Sequence, residues 1–278
     1  MHYMDGAQPF FYRGGGIGCI ITHGFMASPA EVRWLGDHLG RAGLSVLGVR
    51  VAGHGTHYRD MKRSRWNDWY ASVLDAYYIM RAQCDLVFAI GHSMGGVLSL
   101  LLASDERTKI DGVVVLSSPF LLPKSVAQRA ALTKAIIPYT DQTDRTDLPD
   151  VIRAEQARRG EPQVGRVRYD KWATAAVPQF FALVAETDKR LSQVTAPLLL
   201  VYAKGDDLAL PPNMDYIAGK VGSKHIEKHL LDVGGHIITQ DAAREDTFDL
   251  VREFVQRVGV QLASGQVPTV KQKFSTQS

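Results

Sequence analysis

The sequence predicts an α/β fold in which one mostly parallel sheet is flanked by helices and carries a helical insertion. Short apolar runs alternate along the chain with segments whose apolar residues recur at helical spacing. The runs are apolar almost throughout, which is typical of strands covered on both faces of a sheet. The alternation breaks between Ser118 and Pro197, where roughly 80 residues replace a connection that usually takes only a few.

The apolar runs are predicted to be the strands of this sheet, and the last of them is the weakest because polar residues interrupt it. They are residues 17–22, 45–51, 85–90, 112–116, 198–203 and 228–233. The segments between the runs carry apolar residues three and four positions apart, which predicts helices that pack on the sheet. These helices are residues 29–41, 66–81, 94–104, 213–221 and 242–258.

The long interruption is predicted to be a helical cap, residues 120–175, inserted into a core formed by residues 1–119 and 176–262. Residues 263–278 are polar and lack periodicity, so we predict a loosely docked or disordered tail. Within and after the cap, the predicted pieces are helices at 123–137 and 150–159, a polar link at 140–149, and a flanking helix at 178–194.

The composition excludes several classes of protein. Of 278 residues, 45% are hydrophobic and 22% charged, as in soluble globular domains. The net charge of +3 comes without a dense basic stripe, so we predict no nucleic-acid partner. Cys19 and Cys84 lie in apolar runs, which excludes a disulfide framework. No segment reaches the about 18 continuous apolar residues of a membrane span, and residues 1–16 contain no charged stretch followed by an apolar one, so we predict no membrane insertion and a cytoplasmic location.

A Gly-x-Ser-x-Gly motif, Gly91 to Gly95, lies between a predicted strand and a predicted helix. A sharp turn from strand to helix strains the central serine and exposes its oxygen, and small flanking residues permit the close approach that this turn requires. The motif therefore predicts Ser93 as a nucleophile. The alternative is a glycine-rich helix start in which Ser93 serves only as the capping residue.

A serine nucleophile needs a base, and in this kind of fold the chain order is serine, acid, histidine. Three histidines follow Ser93, namely His225, His229 and His236. His236 follows two glycines in a loop just beyond a strand, at the sheet edge where open α/β sheets place their sites. We therefore predict His236 as the base.

The acid is predicted to follow the strand at 198–203. Asp206 and Asp207 both occupy the turn after this strand, and the spacing leaves the choice between them open. Asp232 is a third candidate. An oxyanion hole would come from the backbone amide of Met94, directly after the nucleophile, and from the amide of Phe25 in an early loop. The alternative for that loop is an ordinary turn plugged by an aromatic ring.

These residues resemble the α/β-hydrolase superfamily, in particular its bacterial carboxylesterase and monoacylglycerol lipase branch. The resemblance covers nearly the whole chain outside the cap. It rests on the following residues: His23-Gly24-Phe25 with Ser28, Pro29 and Glu31, Gly53-His54-Gly55-Thr56, Trp66 with Asp68 and Trp69, Gly91 to Gly96, Ala196-Pro197, Gly205-Asp206 with Pro211 and Pro212, and Gly235-His236 with Thr239 and Asp241. It implies that Asp206 is the acid and that Phe25 and Met94 supply the oxyanion amides. A histidine directly before the nucleophile, here His92, is common among the lipase members of this branch.

Together these features predict a serine ester hydrolase that uses Ser93, Asp206 and His236 without metal or cofactor. His225 and His229 lie four residues apart but lack a third ligand nearby. The expected substrates are short- to medium-chain acyl esters or monoacylglycerols, small molecules held in a mostly apolar pocket. The predicted substrate-binding residues are Phe25, Met26, His92, Phe120, Leu121, Ile136 and Ile137. The alternatives are a thioesterase, amidase, lactonase or acyltransferase with the same triad, or a non-catalytic ligand-binding protein.

Overall fold

The computed structural model of the protein describes residues 3–141, 147–266 and Pro268. Within these residues the main sheet has seven strands, in the order β1-β3-β2-β4-β5-β8-β9. Strand β1 is antiparallel to its neighbour and the others run parallel, which confirms the predicted, mostly parallel sheet. The strands are β1 (Phe10–Tyr12), β2 (Ile17–Thr22), β3 (Ser45–Val49), β4 (Leu86–His92), β5 (Gly112–Leu116), β6 (Tyr139–Asp141), β7 (Lys171–Ala173), β8 (Leu198–Ala203) and β9 (Ile226–Leu231).

Helices cover both faces of this sheet. They are α1 (Ala30–Arg41), α2 (Tyr58–Arg63), α3 (Trp66–Arg81), α4 (Met94–Ala103), α5 (Lys124–Thr133), α6 (Leu148–Arg158), α7 (Ala176–Arg190), α8 (Pro212–Ala218) and α9 (Arg244–Ala263). Helices α1 and α9 pack on one face, and α3, α4 and α7 pack on the other. None of the helices in the described ranges is long and apolar enough to cross a lipid bilayer.

The strands are apolar throughout because each of their faces meets its own helix layer. In β5, Val113 and Val115 belong to the hydrophobic cluster under α3, α4 and α7, whereas Val114 and Leu116 belong to the cluster under α1 and α9. Successive side chains of a strand point to opposite faces, so a strand buried on both sides shows no polar alternation.

The structure adds two short elements to the predicted core and lengthens a third. Strand β1 and helix α2 are too short to carry a recognisable period and were not predicted. Helix α9 continues to Ala263, whereas the prediction ended it at residue 258, before Gly259. That glycine lies inside the helix because β2 is close: a Cβ there would lie 2.6 Å from Cδ1 of Ile17. Most of the predicted tail at 263–278 lies outside the described residues.

The inserted segment is not purely helical as predicted. It contains α5 and α6, and also strands β6 and β7, which form a separate antiparallel pair. Strands of three residues leave no periodicity to detect, which explains why the sequence did not predict them. The predicted polar link at 140–149 lies partly in β6 and α6 and partly outside the described residues. The start of the inserted segment is bound to the core, since Asn213 Oδ1 accepts hydrogen bonds from the backbone amides of Phe120 and Leu121, each at 2.7 Å.

Candidate active site

Ser93 lies on the sharp turn between β4 and α4. Its backbone is strained, with φ 53° and ψ −116°, and its amide donates to the carbonyl of Leu116 at 2.8 Å. The side chain makes no capping bond to the helix that it precedes. Its Oγ lies instead 3.0 Å from Nε2 of His236. This geometry disfavours the interpretation of Ser93 as a mere helix cap and matches that of a nucleophile on a strand-to-helix turn.

The glycines of the motif are needed because backbone segments touch there. A Cβ on Gly95 would lie 2.0 Å from the carbonyl oxygen of Thr22, at the end of β2. A Cβ on Gly91 would lie 2.0 Å from the carbonyl carbon of Gly95. A side chain at Gly95 would push the turn away from β2, and one at Gly91 would push the start of α4 away from β4. The motif therefore follows from packing as well as from the conformation of Ser93.

His236 joins Ser93 to a carboxylate. Its Nδ1 lies 3.0 and 3.1 Å from the two carboxylate oxygens of Asp206, whose side chain is fully buried. One of these oxygens also accepts the amides of Leu208 and Ala209, at 2.9 and 2.8 Å. Burial alone would raise the pKa of Asp206, but the bonds from His236 and from the two amides lower it below its ordinary value. Asp206 is therefore an anion at neutral pH.

The other candidate acids and bases lie elsewhere. Asp207 is exposed beside Asp206, and Asp232 is exposed and pairs with Lys204 at 2.5 Å. His225 precedes β9 and His229 lies within it, whereas His236 follows its end. The structure thus brings together Ser93, His236 and Asp206 at the carboxyl ends of β4, β9 and β8, the edge at which open parallel sheets bind ligands.

The predicted oxyanion amides lie on the two turns nearest Ser93. Within the described residues, neither the Phe25 nor the Met94 amide donates a hydrogen bond to another group. Gly24 packs against the nucleophile, since a Cβ there would lie 3.3 Å from the Cβ of Ser93. Met26 holds a left-handed φ of 63°, and its carbonyl accepts the amide of Tyr169 at 3.3 Å. Both amides are therefore free to bind a developing oxyanion.

His92 was predicted to contact substrate, and the structure corrects this. Its side chain has no exposed surface. Its Nδ1 lies 2.8 Å from Oε1 of Glu31, and its Nε2 lies 2.8 Å from the carbonyl oxygen of His236. Both ring nitrogens are occupied within the protein, so His92 has no group left for a ligand. His92 is the last residue of β4, and its side chain lies in the interior rather than at the site mouth.

The remaining predicted substrate residues differ in exposure. Phe25 lies partly buried in an aromatic cluster, with ring centroids 5.3 Å from Phe180, 5.6 Å from Trp172 and 5.7 Å from Trp69. Sequence reasoning missed this cluster because Trp172 lies in the three-residue strand β7, which has no period. Among the others, Met26 and Phe120 are buried, Leu121 and Ile137 are half exposed, and Ile136 is 84% exposed.

Two buried histidines near Phe25, His23 and His54, lead us to expect that the free energy of unfolding falls in acid. Burial lowers the pKa of His23 from 6.5 to about 4, and burial lowers that of His54 as well. Below pH 6.5 the unfolded chain takes up protons that the folded protein does not, so stability present above that pH is lost as the pH falls towards 4. At pH 5 His23 alone contributes about 2 kcal/mol to this loss.

Urea unfolding between pH 7.5 and 4.5 measures this effect. We expect His23→Gln, whose amide can replace both ring hydrogen bonds, to flatten the dependence of unfolding free energy on pH. The exposed His57 provides the control, and His57→Gln should leave the slope unchanged. Equal slopes for the wild type and His23→Gln would show that the acid loss originates elsewhere.

Comparison with known proteins identifies the family. Residues 18–243 match the family described as serine aminopeptidase, S33. The chain belongs to this family. The membership confirms the predicted α/β-hydrolase fold and superfamily.

Several similar proteins are named as ester hydrolases. The chain is 31% identical to a thermostable monoacylglycerol lipase of Bacillus sp. (strain H-257), over 86% of this chain and 90% of the relative. It is 23% identical to a carboxylesterase of Bacillus subtilis (strain 168), over 90% of this chain and 97% of the relative. These relatives support the carboxylesterase and monoacylglycerol lipase branch, and the chain is a serine esterase acting on carboxylic esters.

Solved structures agree with this membership. A structure from work on LipS and LipT, two metagenome-derived lipolytic enzymes, matches with a TM-score of 0.82 at 25% identity, over 92% of this chain and 99% of the other. A monoacylglycerol lipase of Paleococcus ferrophilus matches with a TM-score of 0.71 at 17% identity, over 93% of this chain and 99% of the other. This match shows a shared fold. The S33 family member described here therefore has its sheet and flanking helices arranged as in lipolytic enzymes.

Proposed function

We propose that this S33 family member hydrolyses short- to medium-chain acyl esters and monoacylglycerols through an acyl-enzyme on Ser93. The observation that carries the proposal is the imidazole of His236, whose Nε2 lies 3.0 Å from Ser93 Oγ while its Nδ1 lies 3.0 Å from Asp206. A serine hydroxyl is a weak nucleophile unless a base takes its proton, and this base is held in the required orientation by a buried carboxylate.

The reaction has two steps that use the same groups twice. Ser93 Oγ attacks the ester carbonyl carbon while Nε2 of His236 accepts its proton, and the resulting imidazolium is stabilised by Asp206. The carbonyl oxygen becomes an oxyanion that accepts the amides of Phe25 and Met94. The intermediate collapses as His236 protonates the departing alcohol. Water, deprotonated by His236, then attacks the acyl carbon, and the second intermediate collapses as His236 returns the proton to Ser93 Oγ, which breaks the bond to the serine and releases the acid.

The choice of lipid-like esters is supported by the relatives and by the cap. Two of the similar proteins are named monoacylglycerol lipases. The inserted segment presents exposed apolar side chains, which is unusual on a water-facing surface and suits a poorly soluble acyl chain. They are Leu121, Val126, Leu132, Ile136 and Ile137. Thioesters, amides and lactones use the same triad, so the leaving group is the feature that an experiment must test.

The test is a matched series of substrates that share their acyl groups. Hydrolysis rates would be measured for p-nitrophenyl esters and monoacylglycerols from acetyl to palmitoyl, with the p-nitroanilide and thioester of the same acids alongside. We expect the highest kcat/KM for octanoyl to lauroyl esters, with acetyl and palmitoyl esters about tenfold slower. The anilides should turn over at least about 100-fold more slowly than the esters. A thioester or anilide that outpaces its ester would contradict the proposed function.

A further inference from the structure

Glu31 and His92 form a buried pair that connects three loops of the candidate active site. Oε1 of Glu31 accepts the amide of Gly24 at 2.7 Å, on the loop that carries the Phe25 amide. The same oxygen lies 2.8 Å from Nδ1 of His92, the residue before Ser93. Nε2 of His92 lies 2.8 Å from the carbonyl oxygen of His236. Neither side chain takes part in the chemistry described above.

The partners of His92 determine its protonation state. A carbonyl oxygen can only accept, so Nε2 must donate to His236. Glu31 is a carboxylate, so Nδ1 donates as well, and a ring that donates from both nitrogens is an imidazolium cation. Although burial opposes both charges, the pair raises the pKa of His92 and lowers that of Glu31. The two side chains therefore form a buried ion pair, in which His92 is 0% exposed and Glu31 is 4% exposed.

A buried ion pair is a poor way to gain stability. Desolvation of two charges consumes most of their attraction, and apolar residues of similar volume often stabilise a fold as well or better. The hydrogen bonds of this pair are, however, directional. They join the Gly24 loop and the His236 loop to His92, the residue before Ser93. What the pair supplies is therefore geometry rather than stability, because short charge-assisted bonds set the distance between the groups that they join.

The same loop is also held from the side of the inserted segment. The guanidinium of Arg166 lies 3.8 Å from Oε2 of Glu31. Ser28 Oγ donates to the carbonyl of Val167 at 2.8 Å, and the Tyr169 amide donates to Met26. The carboxylate of Glu31 therefore lies between the inserted segment and the turn that bears Ser93, with Gly24 bound to it.

We propose that Glu31 and His92 are positioning residues for ester hydrolysis, which fix the oxyanion loop and the His236 loop relative to Ser93. This inference rests on the function proposed above. Without the pair, Gly24 would lose its hydrogen bond to Glu31, so the loop that carries the Phe25 amide would no longer be fixed. The carbonyl of His236 would likewise lose its hydrogen bond from His92. Small displacements of such groups weaken transition-state stabilisation more than substrate binding, so the loss should appear in kcat.

The experiment is a double-mutant cycle with p-nitrophenyl octanoate. Active sites are counted by a fluorophosphonate titration, so that each kcat refers only to folded, competent enzyme. We expect Glu31→Gln to lower kcat about 10-fold and His92→Gln about 100-fold, with KM within about twofold. The double variant should be no slower than His92→Gln alone, because both side chains act through one hydrogen-bonded unit and the second substitution removes nothing further.

A matched control separates positioning from structure. Glu227 is also a buried carboxylate, 6% exposed, and pairs with Arg257 at 2.6 Å on β9, away from the candidate site. Glu227→Gln should lower Tm without changing kcat per titrated site. The inference is overturned if Glu31→Gln and His92→Gln behave in the same way, or if their effects multiply in the double variant. A wild type that hydrolyses no ester in the substrate series would instead refute the proposed function itself.

Discussion

Replacing Ser93 by alanine is expected to reduce kcat/KM for p-nitrophenyl octanoate by about 10⁵- to 10⁶-fold. The hydroxyl oxygen is the atom that would bond to the acyl carbon, and Ser93 is the only residue with a hydroxyl on the described turn from Gly91 to Gly95. The residual rate would come from water attacking a carbonyl still bound by the Phe25 and Met94 amides. Stopped-flow or end-point release of p-nitrophenolate measures the loss.

Ser99 offers a control on the same helix. It is buried in α4, six residues after Ser93, and Ser99→Ala should retain kcat/KM within about threefold. Labelling by a fluorophosphonate should be complete in the wild type and in Ser99→Ala, and absent in Ser93→Ala. Stoichiometric labelling of Ser93→Ala would place the nucleophile on another residue and refute the proposed mechanism.

Replacing Asp206 by asparagine is expected to lower kcat by about 10⁴-fold with little change in KM. The carboxylate accepts the proton on Nδ1 of His236 and so leaves Nε2 free to take the proton of Ser93. An asparagine amide can donate to Nδ1, which favours the tautomer with its proton on Nε2. In that tautomer His236 can no longer act as the base towards Ser93.

Asp207 is the matched control for this substitution, since it has the same chemistry one residue further along the turn. It is exposed, and the carboxylate that pairs with His236 is that of Asp206, so Asp207→Asn should retain wild-type kcat within about twofold. The backbone amides of Leu208 and Ala209 would still find an oxygen acceptor in the asparagine at 206, which keeps the turn folded. Equal losses in the two variants, or a loss in Asp207→Asn alone, would contradict the role proposed for Asp206.

Local patterns predicted most of the core well. The strands at 17–22, 112–116 and 198–203 and the helix at 66–81 begin and end in the structure where the sequence predicts. Their apolar runs are long enough to define a period, and glycine, proline or charged residues mark their ends. The short elements β1, β6, β7 and α2 were missed because a few residues cannot show a period. Their formation depends on neighbours that are distant in sequence, as Tyr139 pairs with Ala173.

The same contrast applies to the candidate site. Ser93, His236 and Asp206 could be proposed from sequence because each follows a predicted strand in the expected order, and parallel strands end at one edge. The aromatic cluster around Phe25 could not, because it joins the early loop to residues near 172 and 180. Glu31 belongs to the residues that carry the family resemblance, but its contact with His92 could not be predicted, since an acidic residue in the first turn of a helix usually faces solvent and complements the helix dipole.

By itself, the sequence determined the alternation of strands and helices, the place of the insertion and the turn that bears Ser93. Those features depend on residues that are neighbours along the chain, and hydrophobic period and glycine spacing record them directly. Only the tertiary structure decided that His92 faces inward, that Asp206 rather than Asp207 meets His236, and that Glu31 reaches His92 across 61 positions. Such contacts depend on side-chain direction and loop packing, which form only when the sheet and its helices have closed around them.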